Sequence, residues 1–328
     1  MSTAGFCVIA FMLTAYVLLD GFDLGVAFVA PLVARDERER GAVMASIGPF
    51  WNGNEVWLVA GGAALFALFP RAYASSFSGF YLPFIVLLWL LMFRGMALEL
   101  RHHFPSRIWQ DFWDAAFTLA SALLIFIFGI ALGNVLHGFP LDANGYFQGT
   151  FAYLLNPYAL LVGAFALAVL GQHGATFAAM RIEGAPAERA RILSRRLWWI
   201  EAALFVVVTV TTFGVRGIPS VPVVVVLGFL STAALAALPA AVRSRSAAAA
   251  FAASSAFVAA LLASAAAALY PYLLPSIAGT TGGITIFDAA PSPAALSCAL
   301  AVTILGSIGV GIYGSLVWRR MAGKVRVE

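Results

Sequence analysis

Residues 5–33 read GFCVIAFMLTAYVLLDGFDLGVAFVAPLV, and this stretch decides what kind of protein the chain is. A helix needs about 20 apolar residues to cross a bilayer core, and the run exceeds that. It nevertheless holds two acids, Asp20 and Asp23, whose three-residue spacing puts them on one helix face. A carboxylate at the centre of a membrane helix costs roughly 2.5–3.5 kcal/mol, so acids there handle protons or ions by default. No basic stretch precedes the run, which reads as a retained helix and not as a cleaved signal.

The rest of the chain repeats the pattern. Of its 328 residues, 62% are hydrophobic and only 10% charged, and the mean hydropathy is +0.94. A soluble domain is roughly one-quarter charged, so the surplus apolar surface must face lipid. Further apolar runs fall at 48–69, 78–98, 114–136, 152–178, 198–214, 221–241, 247–270 and 294–318. About nine transmembrane helices are therefore expected. Strand alternation is absent, and only a helix satisfies its own backbone in hydrocarbon, so the predicted class is an all-α integral membrane protein.

Charge placement orients it. With the N-terminus outside, inner connections hold seventeen of the nineteen Lys and Arg, leaving only Arg71 and Arg216 outside. The bias predicts an outer N-terminus and a cytoplasmic C-terminus. The longest outer connections, 137–151 and 271–293, are too short for an independent domain. Cys7 and Cys298 sit in apolar stretches far apart and read as packing residues. The net charge of +4 comes from scattered loop clusters, which sets nucleic acid aside.

Polar residues concentrate in the first hundred positions. From Ala202 to Val317 the acids and bases are Arg216, Arg243, Arg245 and Asp288, all in predicted loops, so function is expected in the first part of the chain. Counting back from Arg35 places Asp23 about 18 Å and Asp20 about 22 Å from the inner surface. The second run holds Asn52, Asn54 and Glu55 between Trp51 and Trp57, and the third ends with Arg94 and Glu99. Carboxylates of three successive helices thus converge on the inner half of one bundle. Three readings stay open: a proton relay from the cytoplasm, a structural cluster with an aspartate paired to Arg94, or a cation site. The aromatics Trp51, Trp57, Phe77, Phe80 and Tyr81 read mainly as packing and interface residues, with a quinone or lipid contact as the minority reading. Glycines 21, 25, 53, 61 and 62 read as points of close helix contact. His102 and His103 are adjacent, His137 borders an outer loop, and His173 ends the fifth run. No two histidines face each other across the membrane as a haem pair would, and a single axial ligand at His173 is the residual possibility.

The run Leu19-Asp20-Gly21-Phe22-Asp23-Leu24-Gly25, followed by Pro49-Phe50-Trp51-Asn52-Gly53-Asn54-Glu55-Val56-Trp57-Leu58, resembles subunit II of the cytochrome bd-type quinol oxidases. Gly61 to Ala67, Phe69-Pro70 and Phe77 to Tyr81 continue the match, with fainter echoes at Gly133-Asn134, 155–158 and 172–176. The resemblance implies two four-helix bundles, here 1–136 and 137–270, then an outer loop, a peripheral ninth helix and a tail over 271–328. It implies a bacterial inner-membrane complex with a haem-bearing subunit I, which holds two haems b and a haem d or further haem b and oxidises quinol while oxygen is reduced to water. A small single-span subunit and a structural quinone occur in some members. Subunit II itself would bind no haem or metal. Asp20, Asp23, Asn52, Glu55 and Glu99, with Trp51, Trp57 and Arg94 in support, would line the proton-delivery pathway. Many members have aspartate where this chain has Asn52, and an asparagine cannot release a proton at neutral pH, so Glu55 would take that role. A competing class, the proton-coupled secondary transporter, calls for inverted repeats or broken mid-membrane helices that the second half lacks.

Overall fold

The computed structural model describes residues 1–142, 144–216, 221–277 and 283–327. Eleven α-helices make up almost all of it. They are α1 (Ser2–Val33), α2 (Glu37–Ile47), α3 (Trp51–Leu68), α4 (Pro70–Gly79), α5 (Tyr81–Leu100) and α6 (Arg107–His137). These are followed by α7 (Pro157–Arg181), α8 (Ala185–Val215), α9 (Val221–Arg243), α10 (Ala247–Leu269) and α11 (Pro293–Arg320). A two-stranded antiparallel ribbon, β1 (Tyr272–Leu274) with β2 (Ile284–Thr285), lies in the connection before α11. Residues 278–282 of the Pro/Gly-rich connection lie outside the described residues.

Among the described residues eight helices are long and apolar enough to cross a membrane: α1 and α5 to α11. The second expected run appears as α3, only 18 residues long, with Asn52, Asn54 and Glu55 in its opening turns. Ahead of it lies α2, a short polar-faced helix that the hydropathy pattern did not suggest. Its start is chemically explicit: the Asp36 carboxylate accepts from the Glu39 backbone N–H at 2.9 Å, and Glu37 and Glu39 in the first turn favour the helix dipole. The third run begins at Tyr81 because Pro70–Gly79 forms its own helix, and the sixth extends backwards to Ala185. At the start of α7, Asn156 caps the Ala159 N–H at 2.9 Å, and Pro157 occupies a position whose N–H would lack a helical partner.

Two helices form the centre. Asp20 to Ala27 of α1 are all buried, which covers every side of the helix for two turns. Ala168 to Ala178 of α7 are buried in the same way for three turns. α1 packs against α3, α6, α7 and α10; α7 packs against α6, α8 and α10, and α11 lies outermost, against α3. The crossing of α1 and α7 has no side chain between the backbones. A Cβ on Gly25 would stand 2.0 Å from the Leu170 carbonyl oxygen, and one on Gly174 would stand 2.1 Å from the Gly25 carbonyl carbon. This bears out close helix contact at Gly25. Gly21 and Gly53 meet only side chains, and Gly62 meets nothing within 4 Å. The outer faces of α5, α8, α9 and α11 expose large apolar side chains such as Trp89, Phe213, Phe229 and Leu305, as a lipid- or subunit-facing surface requires.

The end of the molecule that gathers basic residues is held by ion pairs. Arg101 is buried and bonds Asp114 at 2.6 Å and Glu37 at 2.6 Å. Glu39 of α2 pairs with Arg189 of α8 and accepts from the Arg35 backbone N–H at 2.6 Å. The Arg189 guanidinium, before any other neighbour, holds the Glu39 carboxyl below its ordinary range. A carboxyl lowered in the folded state stabilises the fold above its unfolded pKa, about 4.3 for Glu, and that contribution disappears as pH falls through the folded value. Thermal unfolding of the assembled protein between neutral pH and pH ~3 is expected to lose part of its acid limb in Glu39→Gln; identical limbs would remove the pair from the account.

Candidate functional site

The buried acids of α1 divide between two neighbours. They are three residues apart, hence about 60° apart around the helix, so each meets a different helix. Asp20 faces α5, where Arg94 grips it with both ends of its guanidinium, Nη1 to Oδ2 at 3.0 Å and Nη2 to Oδ1 at 2.5 Å. Both side chains are essentially inaccessible, at 0% and 1% exposure. Such a pair survives burial only because the bidentate geometry offsets the loss of water. Asp23 faces α3, where the Asn54 amide donates to its Oδ2 at 2.7 Å and to the Leu19 carbonyl at 3.1 Å. The other Asp23 oxygen is buried without a hydrogen-bond partner, as are the Tyr16 hydroxyl, two turns back along α1, and Nε of Arg94.

Glu55, next to Asn54 on α3, is half-buried and lies within the electrostatic fields of Arg94 and Asp20. One guanidinium therefore stands against three carboxyls from two helices. Trp57 is buried with its ring edge-on to Phe11 at 5.8 Å, and Trp51 is half-buried near Gly95. Asn52 and Glu99 do not join them. Asn52 is two residues from Asn54, about 200° around the helix, and Glu99 is five from Arg94, about 140° around; both are exposed. Asp20, Asp23, Glu55 and Arg94 therefore lie together, with α5 contributing a cation and no acid. Among the described residues no three His, Cys, Asp or Glu side chains gather closely enough to hold a metal. Phe77 is stacked between Tyr73 and Phe84 at 4.0 and 4.2 Å, and Phe80 meets Phe139 edge-on at 5.3 Å, so these aromatics pack on one another.

The confinement of chemistry to the first hundred residues is corrected at two places. His173 of α7 is fully buried, stacked on Phe251 at 5.0 Å and engaged on both ring nitrogens: Nδ1 with the Ser254 hydroxyl at 2.9 Å, Nε2 with the Leu18 carbonyl at 3.1 Å. Gln172 extends the network to Ser254 at 2.9 Å and Ser194 at 3.1 Å. With both nitrogens held, the imidazole does not fit the role of an iron ligand. Of the others, His137 bonds the Tyr153 hydroxyl at 3.0 Å, and His102 and His103 lie in an exposed turn. The second place is Glu201 of α8, completely buried with neither oxygen bonded. It was legible as an acid inside the sixth apolar run, between Ile200 and Ala202, but it stands alone there with no motif around it.

With this geometry in hand, the likeness to known proteins is informative. The family described as cytochrome bd terminal oxidase subunit II matches residues 1–321. A protein described as probable cytochrome oxidase subunit 2 of Haemophilus influenzae is 38% identical over 188 residues, 56% of this chain and 50% of its own length. Cytochrome bd-I ubiquinol oxidase subunit 2 of Escherichia coli is 35% identical over 208 residues, 62% of this chain and 54% of its own. Cytochrome bd ubiquinol oxidase subunit 2 of Bacillus subtilis is 34% identical over 203 residues, 62% and 59% respectively. The chain thus spans about half of these relatives' length in each match. The structure of bd oxidase from Geobacillus thermodenitrificans shares the fold, with a TM-score of 0.80 over 97% of both chains at 18% identity.

Proposed function

The chain belongs to the cytochrome bd terminal oxidase subunit II family, and from that premise we propose that it serves as the haem-free subunit of a membrane quinol oxidase, lining part of a proton-uptake route from the cytoplasm. It is a multi-pass protein of the bacterial inner membrane. In this reading α3 is the ninth span, the start of α1 lies outside, and the arginine-rich end faces the cytoplasm. The histidine inventory supports assigning the haems to a partner subunit I, which would oxidise quinol and reduce oxygen to water.

The observation that carries the proposal is the unbonded Asp23 oxygen beside the Asp20–Arg94 pair, with the more accessible Glu55 next to it. Arg94 already balances Asp20. An ionised Asp23 therefore stands as the uncompensated buried charge, and a proton taken up by Glu55 and handed inward neutralises it. Asn54 holds the Asp23 carboxyl in place through its other oxygen and takes no proton itself. Asn52, on the exposed side of α3, has no part in this route.

Two isosteric replacements in the assembled complex test it. Asp23→Asn and Glu55→Gln are each expected to lower quinol-driven oxygen consumption and proton uptake about a hundredfold, the lower end of what a positioned proton carrier contributes, with the haem spectrum of the complex intact. Unchanged rates in both would leave the chain a scaffold.

A further inference from the structure

α9 contains a proline, Pro239, inside the helix. Proline has no N–H, so the carbonyl of Leu235, four residues earlier, loses its helical donor. Another helix supplies the replacement: the Trp198 indole N–H of α8 donates to the Leu235 oxygen at 2.8 Å. This bond pins the Trp198 ring to the flank of α9 at the proline. Beside it a cavity of about 240 Å³ opens between the two helices, lined by Arg195, Trp198 and Trp199 of α8 and by Pro239, Val242 and Arg243 of α9. Its walls are apolar. At its mouth stand two guanidiniums, both exposed, and neither belongs to an ion pair among the described residues. Glu188, the acid near this end of α8, is already bonded to Arg191, and Glu201 is sealed inside. Trp199 is 67% exposed, its ring edge-on to Trp198 at 4.7 Å.

We infer that this cleft is a binding site for one anionic diacyl phospholipid of the inner leaflet. The headgroup phosphate sits between Arg195 and Arg243, and an acyl chain runs down the α8–α9 cleft against Trp199. The arginines match a phosphodiester because guanidinium donates two parallel hydrogen bonds to it. Basic pockets between helices at the cytoplasmic face favour anionic headgroups, while a zwitterionic lipid would bring its own ammonium against the arginines. Tryptophan at headgroup depth suits an apolar ring with one polar edge, and here the Trp198 N–H is committed to Leu235, which leaves Trp199 to meet the lipid. The inference is independent of the proton route.

The test uses the assembled complex in detergent with a photoactivatable phosphatidylglycerol, mapping the labelled peptides by mass spectrometry. Wild type is expected to carry label on α8 and α9 peptides around Trp199 and Val242. Excess unlabelled phosphatidylglycerol should remove it, while phosphatidylcholine and inorganic phosphate should not. Arg195→Gln with Arg243→Gln is expected to reduce that label about tenfold. Three results would each overturn the site: no label there in wild type, equal competition by phosphatidylcholine or by phosphate, or undiminished label in the double variant. The wild-type competition decides the matter even where the double variant assembles poorly.

Discussion

Replacing Arg94 by methionine is expected to leave little or no assembled complex. The substitution keeps the apolar stem of the side chain and removes the cation paired with the Asp20 carboxylate, which is completely buried. Breaking one partner out of a buried ion pair costs about 3–5 kcal/mol, because the remaining charge has neither water nor a counter-ion. That is a large share of the roughly 5–15 kcal/mol by which proteins are stable at all. Asp20→Asn alone removes the carboxylate that holds both ends of the guanidinium but leaves Asp23 and Glu55 facing it, so a smaller loss is expected. The double variant, Asp20→Asn with Arg94→Met, removes both charges and is expected to recover most of the thermal stability and most of the haem-containing complex, since replacing both members of a buried pair is often neutral. Turnover distinguishes the roles. If the pair sets the electrostatic field in which Asp23 exchanges protons, the recovered double variant remains slow. A double variant with full oxygen consumption would reduce the pair to a structural strut.

How far the sequence could be read follows from such particulars. The run 5–33 declared a membrane helix with two acids on one side, and the pairing of an aspartate with Arg94 was among the readings that spacing allowed. What spacing could not supply was rotation. Asn52, Asn54 and Glu55 are all polar, and which of them turns inward depends on the phase at which α3 starts. That phase is set by α2 and the turn at 48–50, a piece of structure invisible to hydropathy because α2 is short and charged. Glu99 fails for the same reason: five residues beyond Arg94 is the wrong side of α5. Glu201 and the His173 network were obscured differently. A buried acid or imidazole in a long apolar run has meaning only through the helices that cover it, and those contacts join α7 and α8 to α1 and α10, far apart in sequence. The echo at Gln172-His173-Gly174 was visible as a motif; its partners Leu18, Ser194 and Ser254 were not.

Gly25→Ala is expected to be as damaging as the loss of Arg94, by steric means alone. The added methyl would lie 2.0 Å from the Leu170 oxygen and 2.9 Å from the backbone of Gly174. These are main-chain atoms inside a helix and cannot rotate away, so α1 and α7 must separate by an ångström or more. Separation would also strain the His173–Leu18 bond at 3.1 Å and shift the turn that carries Asp20 and Asp23 relative to α3 and α5. Overpacking usually costs 1–3 kcal/mol where side chains can adjust; here none can, and a loss of about 3 kcal/mol or more is expected. Gly174→Ala should match it, with its methyl 2.1 Å from the Gly25 carbonyl carbon of α1. Two neighbours calibrate the result. Gly21→Ala meets only the tip of Leu170 at 3.0 Å, which can turn aside, so a small loss is expected. Gly62→Ala has nothing within 4 Å and should be neutral or slightly stabilising, since alanine favours helix. Thermal midpoints and yields of membrane-inserted complex should therefore rank Gly62, Gly21, then Gly25 with Gly174. A Gly25→Ala protein as stable as the Gly62→Ala control would mean that α1 and α7 do not touch backbone to backbone, and the placement of every carboxyl on α1 would have to be redrawn.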